Sequence, residues 1–149
     1  MGGLVARSLL KTCGEAHACD YVRSYTSISS PFGGMEAAHS GVAYAPVVVP
    51  VWRDLDPGSP FLEGLFAAPL PDGVVHHMMF GYLNTSTLSR ASSDGTVPVA
   101  SQLRPAAQAQ ASSVIGFNED HMGILSARAT GERLSQILAA ADAPLKRNR

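Results

Sequence analysis

Two polar segments of the chain contain residues that could carry out acid–base chemistry. Asp94 lies in residues 92–98 and His121 in residues 118–123, and each segment comes after an apolar run that favours a β-strand. Loops that leave the carboxyl ends of parallel strands meet at one edge of a sheet, so we expect Asp94 and His121 to lie close together. A carboxylate that accepts a hydrogen bond from one imidazole nitrogen fixes the tautomer and leaves the other nitrogen as a base. The pair would supply two of the three groups that activate a nucleophile.

Each of these residues also has a purely structural interpretation. Asp94 precedes Gly95, and Asp-Gly is a common turn sequence that by itself favours a turn. His121 by itself is typical of a helix start or of the surface. Asp120 competes as its carboxylate partner, but the side chains of adjacent residues usually point apart, which favours Asp94.

Three apolar segments predict the strands that would position these loops. They are residues 22–29, 74–82 and 112–117, and the last two are apolar at their centres, as strands buried on both faces should be. His76 and His77 would point to opposite faces of the second strand, so they cannot act together on one ligand.

Helices are predicted at both ends of the chain. The first begins almost at residue 1, and glycines in its first turn favour close approach of a neighbouring backbone. The last, over residues 129–141, has an apolar stripe of Leu134, Ile137, Leu138 and Ala141. Strands alternating with helices predict an α/β domain of about three parallel strands with flanking helices, whose first strand leaves an open edge.

Residues 35–71 lie between the first two strands and mix short helical pieces with proline-punctuated apolar segments. We interpret this range as a cap-like insertion over the core. Most of its apolar residues are expected to cover the sheet. Trp52, Phe61 and Phe66 are the best candidates for a wall that contacts substrate.

The composition favours a single domain with an ordinary hydrophobic core. The chain has 149 residues, of which 46% are hydrophobic and 15% charged, and its formal net charge is -1. A chain this close to neutral has no basic field for nucleic acid, so we expect no nucleic-acid partner. Apolar runs such as residues 45–52 are broken by proline and fall well below the roughly 18 residues of a membrane span.

The two cysteines, Cys13 and Cys19, leave alternatives open. A bridge across the short loop between them is geometrically conceivable. With His17 and His39 they could be imagined as a zinc site, but the Cys-x3-His-x-Cys spacing is not a usual one. We therefore predict no metal site, and we keep Cys13 as an alternative internal nucleophile.

Five segments, in chain order, resemble the α/β-hydrolase family and, within it, bacterial lipases and GPI inositol-deacylase-like esterases. Residues 1–7 are similar to the residues directly after the serine of the nucleophile elbow, Gly-His-Ser-Met-Gly-Gly. Residues 27–34 resemble a strand-end Ser-Thr-Pro-x-x-Gly segment, and residues 57–62 resemble a segment common in these lipases. Residues 93–97 resemble the acid loop, and residues 120–121 the histidine loop.

The resemblance implies that residues 1–149 form the C-terminal portion of a serine ester hydrolase. Asp94 would be the acid, His121 the base, and the backbone N–H of Met1 part of the oxyanion hole. The resemblance of residues 1–7 to the elbow implies a nucleophilic serine one position before Met1, and the chain contains no Gly-x-Ser-x-Gly sequence. The expected substrate is a lipid or another ester, with water as the second substrate and no metal or organic cofactor. We therefore expect these residues alone not to hydrolyse esters.

An alternative function of a different class is binding without catalysis. The open edge of the first strand could pair with a partner chain that completes the sheet, or with a second copy by self-association.

Overall fold

Three parallel strands form one sheet at the centre of the molecule. The structure is a computed structural model that describes residues 1–84 and 91–142. Its strands are β1 (Ser24–Ile28), β2 (Val75–Gly81) and β3 (Ser113–Phe117), arranged in the order β1-β2-β3. The predicted α/β architecture and its open parallel sheet are therefore confirmed.

Helices flank this sheet and connect its strands. They are α1 (Gly2–Glu15), α2 (Glu36–Tyr44), α3 (Pro50–Leu55), α4 (Pro60–Leu65), α5 (Val99–Gln102), α6 (Pro105–Ala109), α7 (Gly123–Ser126) and α8 (Arg128–Asp142). Of these, α1 and α8 both pack against β1. None of the helices within the described ranges is long and apolar enough to cross a membrane.

Helix α1 lies close to the carboxyl end of β1. A side chain at Gly3 would overlap the hydroxyl of Ser30, and the hydroxyl of Tyr25 donates a hydrogen bond to the carbonyl of Gly3. The expectation of close packing is confirmed at Gly3, whereas Gly2 faces open space. The first turn of α1 is thereby fixed at the edge of the sheet where the strands end.

Residues 35–71 contribute to the core. Ala38, Leu55, Leu62 and Leu65 are buried in the main hydrophobic cluster. The prolines that made this range look irregular begin α3 and α4, because proline at the first helical position loses no hydrogen bond and has a suitable φ. The disulfide between Cys13 and Cys19 closes the end of α1, so Cys13 is not a free thiol and the alternative of a Cys13 nucleophile is wrong.

The prediction that β3 is buried on both faces is wrong. The faces of β3 alternate between half-buried and exposed, and Val114 is 38% exposed, because β3 is the last strand of the sheet. The predicted apolar stripe of α8 is confirmed in part, because Ile137 is buried and Leu134 and Ala141 are half-buried, while Leu138 is 55% exposed.

A buried polar cluster lies between α1 and the sheet. His76 stacks on Tyr25 with ring centroids 4.5 Å apart, and its Nε2 lies 3.0 Å from the hydroxyl of Ser27. His77 points to the other face and pairs with Ser113, as the strand period predicts. Burial, reinforced by the positive charge of Arg7, lowers the pKa of His76 to about 4.

The neutral state of His76 links stability to pH. Between its ordinary pKa of 6.5 and the folded-state pKa of about 4, the unfolded chain binds a proton that the folded protein does not. Stability is therefore fully present above pH 6.5, and we expect this group to remove about 3 kcal/mol of it as the pH falls to 4. Urea unfolding of the wild type and of His76→Gln measures the effect, since the variant should show a flatter pH dependence. His17→Asn, at an exposed histidine, is the control, and equal slopes in all three proteins would contradict the assignment.

Candidate functional site

The loops that follow β2 and β3 bring Asp94 and His121 together. Nδ1 of His121 lies 2.7 Å from Oδ2 of Asp94, and the N–H of His121 donates to the carbonyl of Asp94 at 2.8 Å. Two contacts therefore join the same pair of residues, one through side chains and one through the backbone. This is the juxtaposition expected of loops that leave one edge of a parallel sheet.

The turn that carries Asp94 also orients its carboxylate. Oδ1 of Asp94 accepts hydrogen bonds from the N–H groups of Thr96, at 3.0 Å, and Val97, at 2.7 Å. Gly95 has a φ of 86°, so the Asp-Gly sequence does form a turn. The structural interpretation and the functional one thus describe the same feature, because the turn supplies the donors that hold the buried side chain.

Asp120 has a different task from Asp94. Its Oδ1 accepts from the N–H groups of Met122, at 3.1 Å, and Gly123, at 2.7 Å, at the start of α7. Asp120 therefore helps to fix the segment that presents His121, while Asp94 is the carboxylate that contacts the imidazole.

The second nitrogen of His121 remains available. Among residues 1–84 and 91–142, Nε2 of His121 has no hydrogen-bond partner, and the side chain is 31% exposed. An open hollow of about 220 Å³ lies beside it, lined by Asp94, Gly95, Thr96, Asp120, His121 and Met122. An imidazole held through one nitrogen at an accessible hollow has the geometry of a general base.

Close packing at Gly81 brings the ends of the strands together. A Cβ built on Gly81 would lie 2.7 Å from the carbonyl oxygen of Glu119 and 3.0 Å from Cβ of Asp94. The N–H of Gly81 also donates to the hydroxyl of Ser29, just after β1. The sequence-based prediction did not include Gly81, although a glycine ending an apolar strand is a signal of close backbone approach.

The remaining predicted site residues lie in other surroundings. Met1 precedes α1, where its carbonyl accepts from the N–H groups of Leu4 and Val5, and no backbone hydrogen bond within the described ranges joins Met1 to His121. Its function in an oxyanion hole stays a prediction. Burial lowers the pKa of the Met1 amino group.

The aromatic residues predicted to contact substrate pack against the core. Trp52 and Phe61 are half-buried there. The guanidinium groups of Arg7 and Arg104 lie over the ring of Phe66, at 5.4 and 5.5 Å from its centroid. None of the three aromatic residues lines the hollow beside His121. Their contact with substrate also stays a prediction.

Comparisons with known proteins supply no relative. Protein-family models, curated proteins and solved structures were compared with the chain, and none of them matches it. No group of three or more metal-binding side chains occurs in residues 1–84 and 91–142. The chemistry of the site is therefore inferred from the contacts of its own residues.

Substitution of Gly81 tests whether this packing holds the site. In Gly81→Ala the new methyl group must displace the backbone at Glu119, so we expect a loss of about 1–3 kcal/mol in the free energy of unfolding. We also expect changed NMR shifts at Asp94 and His121. The matched control is Gly131→Ala on α8, where the added Cβ meets open space and stability should stay the same or rise slightly. Unchanged stability and unchanged shifts in Gly81→Ala would contradict a packing function for Gly81.

Proposed function

We propose that Asp94 and His121 are the acid and the base of a serine ester hydrolase of the lipase or esterase type. The 2.7 Å contact between the imidazole and a carboxylate that is held by two backbone N–H groups carries the proposal. The resemblance to α/β-hydrolases adds the rest, including a nucleophilic serine placed just before Met1. In this proposal residues 1–149 contribute two members of the triad.

The proposed reaction passes one proton through Nε2 of His121. This nitrogen takes the proton of the serine hydroxyl while the serine oxygen attacks the ester carbonyl. The carbon–oxygen bond of the leaving alcohol then breaks, and the imidazolium returns its proton to that oxygen. Water repeats the sequence on the acyl-enzyme and releases the acid, so the serine is regenerated.

Asp94 has an electrostatic function in this scheme. Its carboxylate keeps the proton of the neutral imidazole on Nδ1, and it stabilises the imidazolium that forms in each half of the reaction. A buried carboxylate suits this task because low surrounding polarity strengthens its interaction with the cation. Asp94 is 0% exposed, while His121 keeps access to the hollow.

The backbone N–H of Met1, directly before α1, is the proposed oxyanion donor. Backbone N–H groups at a helix N-terminus stabilise developing negative charge. Gly3 holds the first turn of α1 against Ser30, at the edge of the sheet that carries Asp94 and His121. Residues 1–149 contain no Gly-x-Ser-x-Gly sequence, so we expect these residues alone not to hydrolyse esters.

Labelling of the natural product tests the proposal directly. The protein is recovered from its own cells through a tag at Arg149, and a fluorophosphonate probe is added. We expect a labelled serine on this product, loss of label in His121→Ala, and a kcat reduced by roughly 10⁴-fold in Asp94→Asn. Asp120→Asn is the matched control, and it should keep most of the activity because Asp120 does not contact the imidazole. An unlabelled product, or a loss caused by Asp120→Asn and not by Asp94→Asn, would contradict the proposal.

A second candidate function is completion of the sheet by another chain. The N–H of Ser29 donates to the carbonyl of Met79, and the carbonyl of Arg23 accepts from the N–H of Val75, so these residues, directly after and before β1, face β2. The backbone groups of the alternate residues point away from β2; these residues are Ser24, Thr26 and Ile28. An edge of this kind can accept a further strand.

Association in solution tests this second candidate. Val5 and Leu9 of α1 are each 65% exposed, and α1 packs against β1. If the edge pairs with a second copy, sedimentation velocity of the purified chain should show dimers or larger species that Val5→Lys with Leu9→Lys removes. Leu125→Lys, at a side chain 63% exposed on α7, should leave the association in place. A monomer at all concentrations would exclude self-association.

A further inference from the structure

A buried glutamine connects the end of β2 to the turn that carries Asp94. Gln102 is the last residue of α5 and is 1% exposed. Its Nε2 donates to the carbonyls of Gly81, at 3.1 Å, and Val97, at 3.0 Å, and its Oε1 accepts from the N–H of Gly81 at 3.3 Å. One side chain therefore contacts both backbone polar groups of Gly81, sharing the N–H with the hydroxyl of Ser29, and it also reaches the turn.

Val97 carries this connection to the carboxylate. Its N–H donates to Oδ1 of Asp94 at 2.7 Å, and its carbonyl, besides accepting from Gln102, accepts from the N–H of Asp94 at 3.2 Å. The residue that Gln102 holds is thus the residue that holds Asp94. A displacement of Val97 would move the carboxylate relative to His121.

Helix α5 is itself anchored on the opposite side. The hydroxyl of Ser101 donates to the carbonyl of Gly34 at 2.6 Å, and the N–H of Gly33 donates to the carbonyl of Ser101 at 2.9 Å. Gly33 and Gly34 belong to the loop that comes after β1. Helix α5 is therefore fixed to the loop after β1. From this helix Gln102 joins the end of β2 to the turn of residues 94–97, which we call the acid turn.

We propose that Gln102 is a positioning residue that sets the geometry of the Asp94–His121 pair. A primary amide is suited to this place because it offers a donor and an acceptor at once, which a carboxylate or a hydrocarbon side chain does not. The value of this positioning for catalysis rests on the proposed function. The geometry that Gln102 sets can be measured in the 149-residue chain without any nucleophile.

The proton on Nδ1 of His121 provides the measurement. A histidine N–H bonded to a buried carboxylate exchanges slowly with water and gives a downfield proton resonance in NMR. In the wild type we expect this resonance, and Asp94→Asn should weaken or remove it. In Gln102→Met, which keeps length but loses both polar groups, we expect the proton to exchange about tenfold faster or to disappear, as loss of an orienting hydrogen bond predicts.

Two further variants make the result specific. Gln110→Met is the matched control, because the Gln110 amide bonds to Arg7 and Ala68 and does not contact the acid turn. In this variant the resonance of the His121 Nδ1 proton should stay as in the wild type. If Gln102→Met does not fold, Gln102→Glu replaces it, since that change keeps an oxygen for the N–H of Gly81 and loses the amide donor to the carbonyls of Gly81 and Val97.

The outcomes separate this inference from the proposed function. An unchanged resonance in a folded Gln102 variant, or an equal loss in Gln110→Met, overturns the positioning function while leaving the proposed hydrolase intact. Absence of the resonance in the wild type overturns the Asp94–His121 pair itself, and the proposed function with it. Faster exchange of the His121 Nδ1 proton in the Gln102 variant, with no change in Gln110→Met, supports the inference.

Discussion

The buried carboxylate of Asp94 is the group on which the site depends, because it lies out of water at the place where the strands end. A carboxylate in such surroundings is tolerated only when hydrogen bonds satisfy its oxygens. The turn of residues 94–97 provides two backbone donors, and the imidazole of His121 provides the third contact. The contacts that satisfy the buried carboxylate therefore include the one that holds the imidazole of His121.

The close approach of backbone segments at this edge has a similar origin. Gly81 allows Glu119 and Asp94 to pack against the end of β2. Gln102 then bonds to the backbone groups of Gly81, which lie beyond the last pair of the β1–β2 ladder, and to the carbonyl of Val97. Polar side chains with both donors and acceptors complete the edge where strand pairing stops.

A second polar cluster, between α1 and the sheet, stabilises the fold. Arg7 is fully buried and has no carboxylate partner within the described ranges, yet its Nη2 donates to Ala68 and Gln110 and its plane lies over Phe66. Aromatic and carbonyl partners offset part of the cost of burying this charge. This cluster also explains why Phe66, an attractive candidate for substrate contact from the sequence, packs inside the domain.

The sequence by itself determined the strands, their parallel arrangement and the two loops that carry Asp94 and His121, because apolar runs and turn residues are local signals. It also favoured Asp94 over Asp120, since adjacent side chains point apart. Only the tertiary structure decided that Leu138 of α8 is exposed and that β3 is half exposed, because both depend on the elements that pack against them. The same holds for Gln102, which looks in the sequence like one residue of a polar, alanine-rich stretch. Its partners, Gly81 and Val97, come together only when β2 and the acid turn meet at one edge of the sheet.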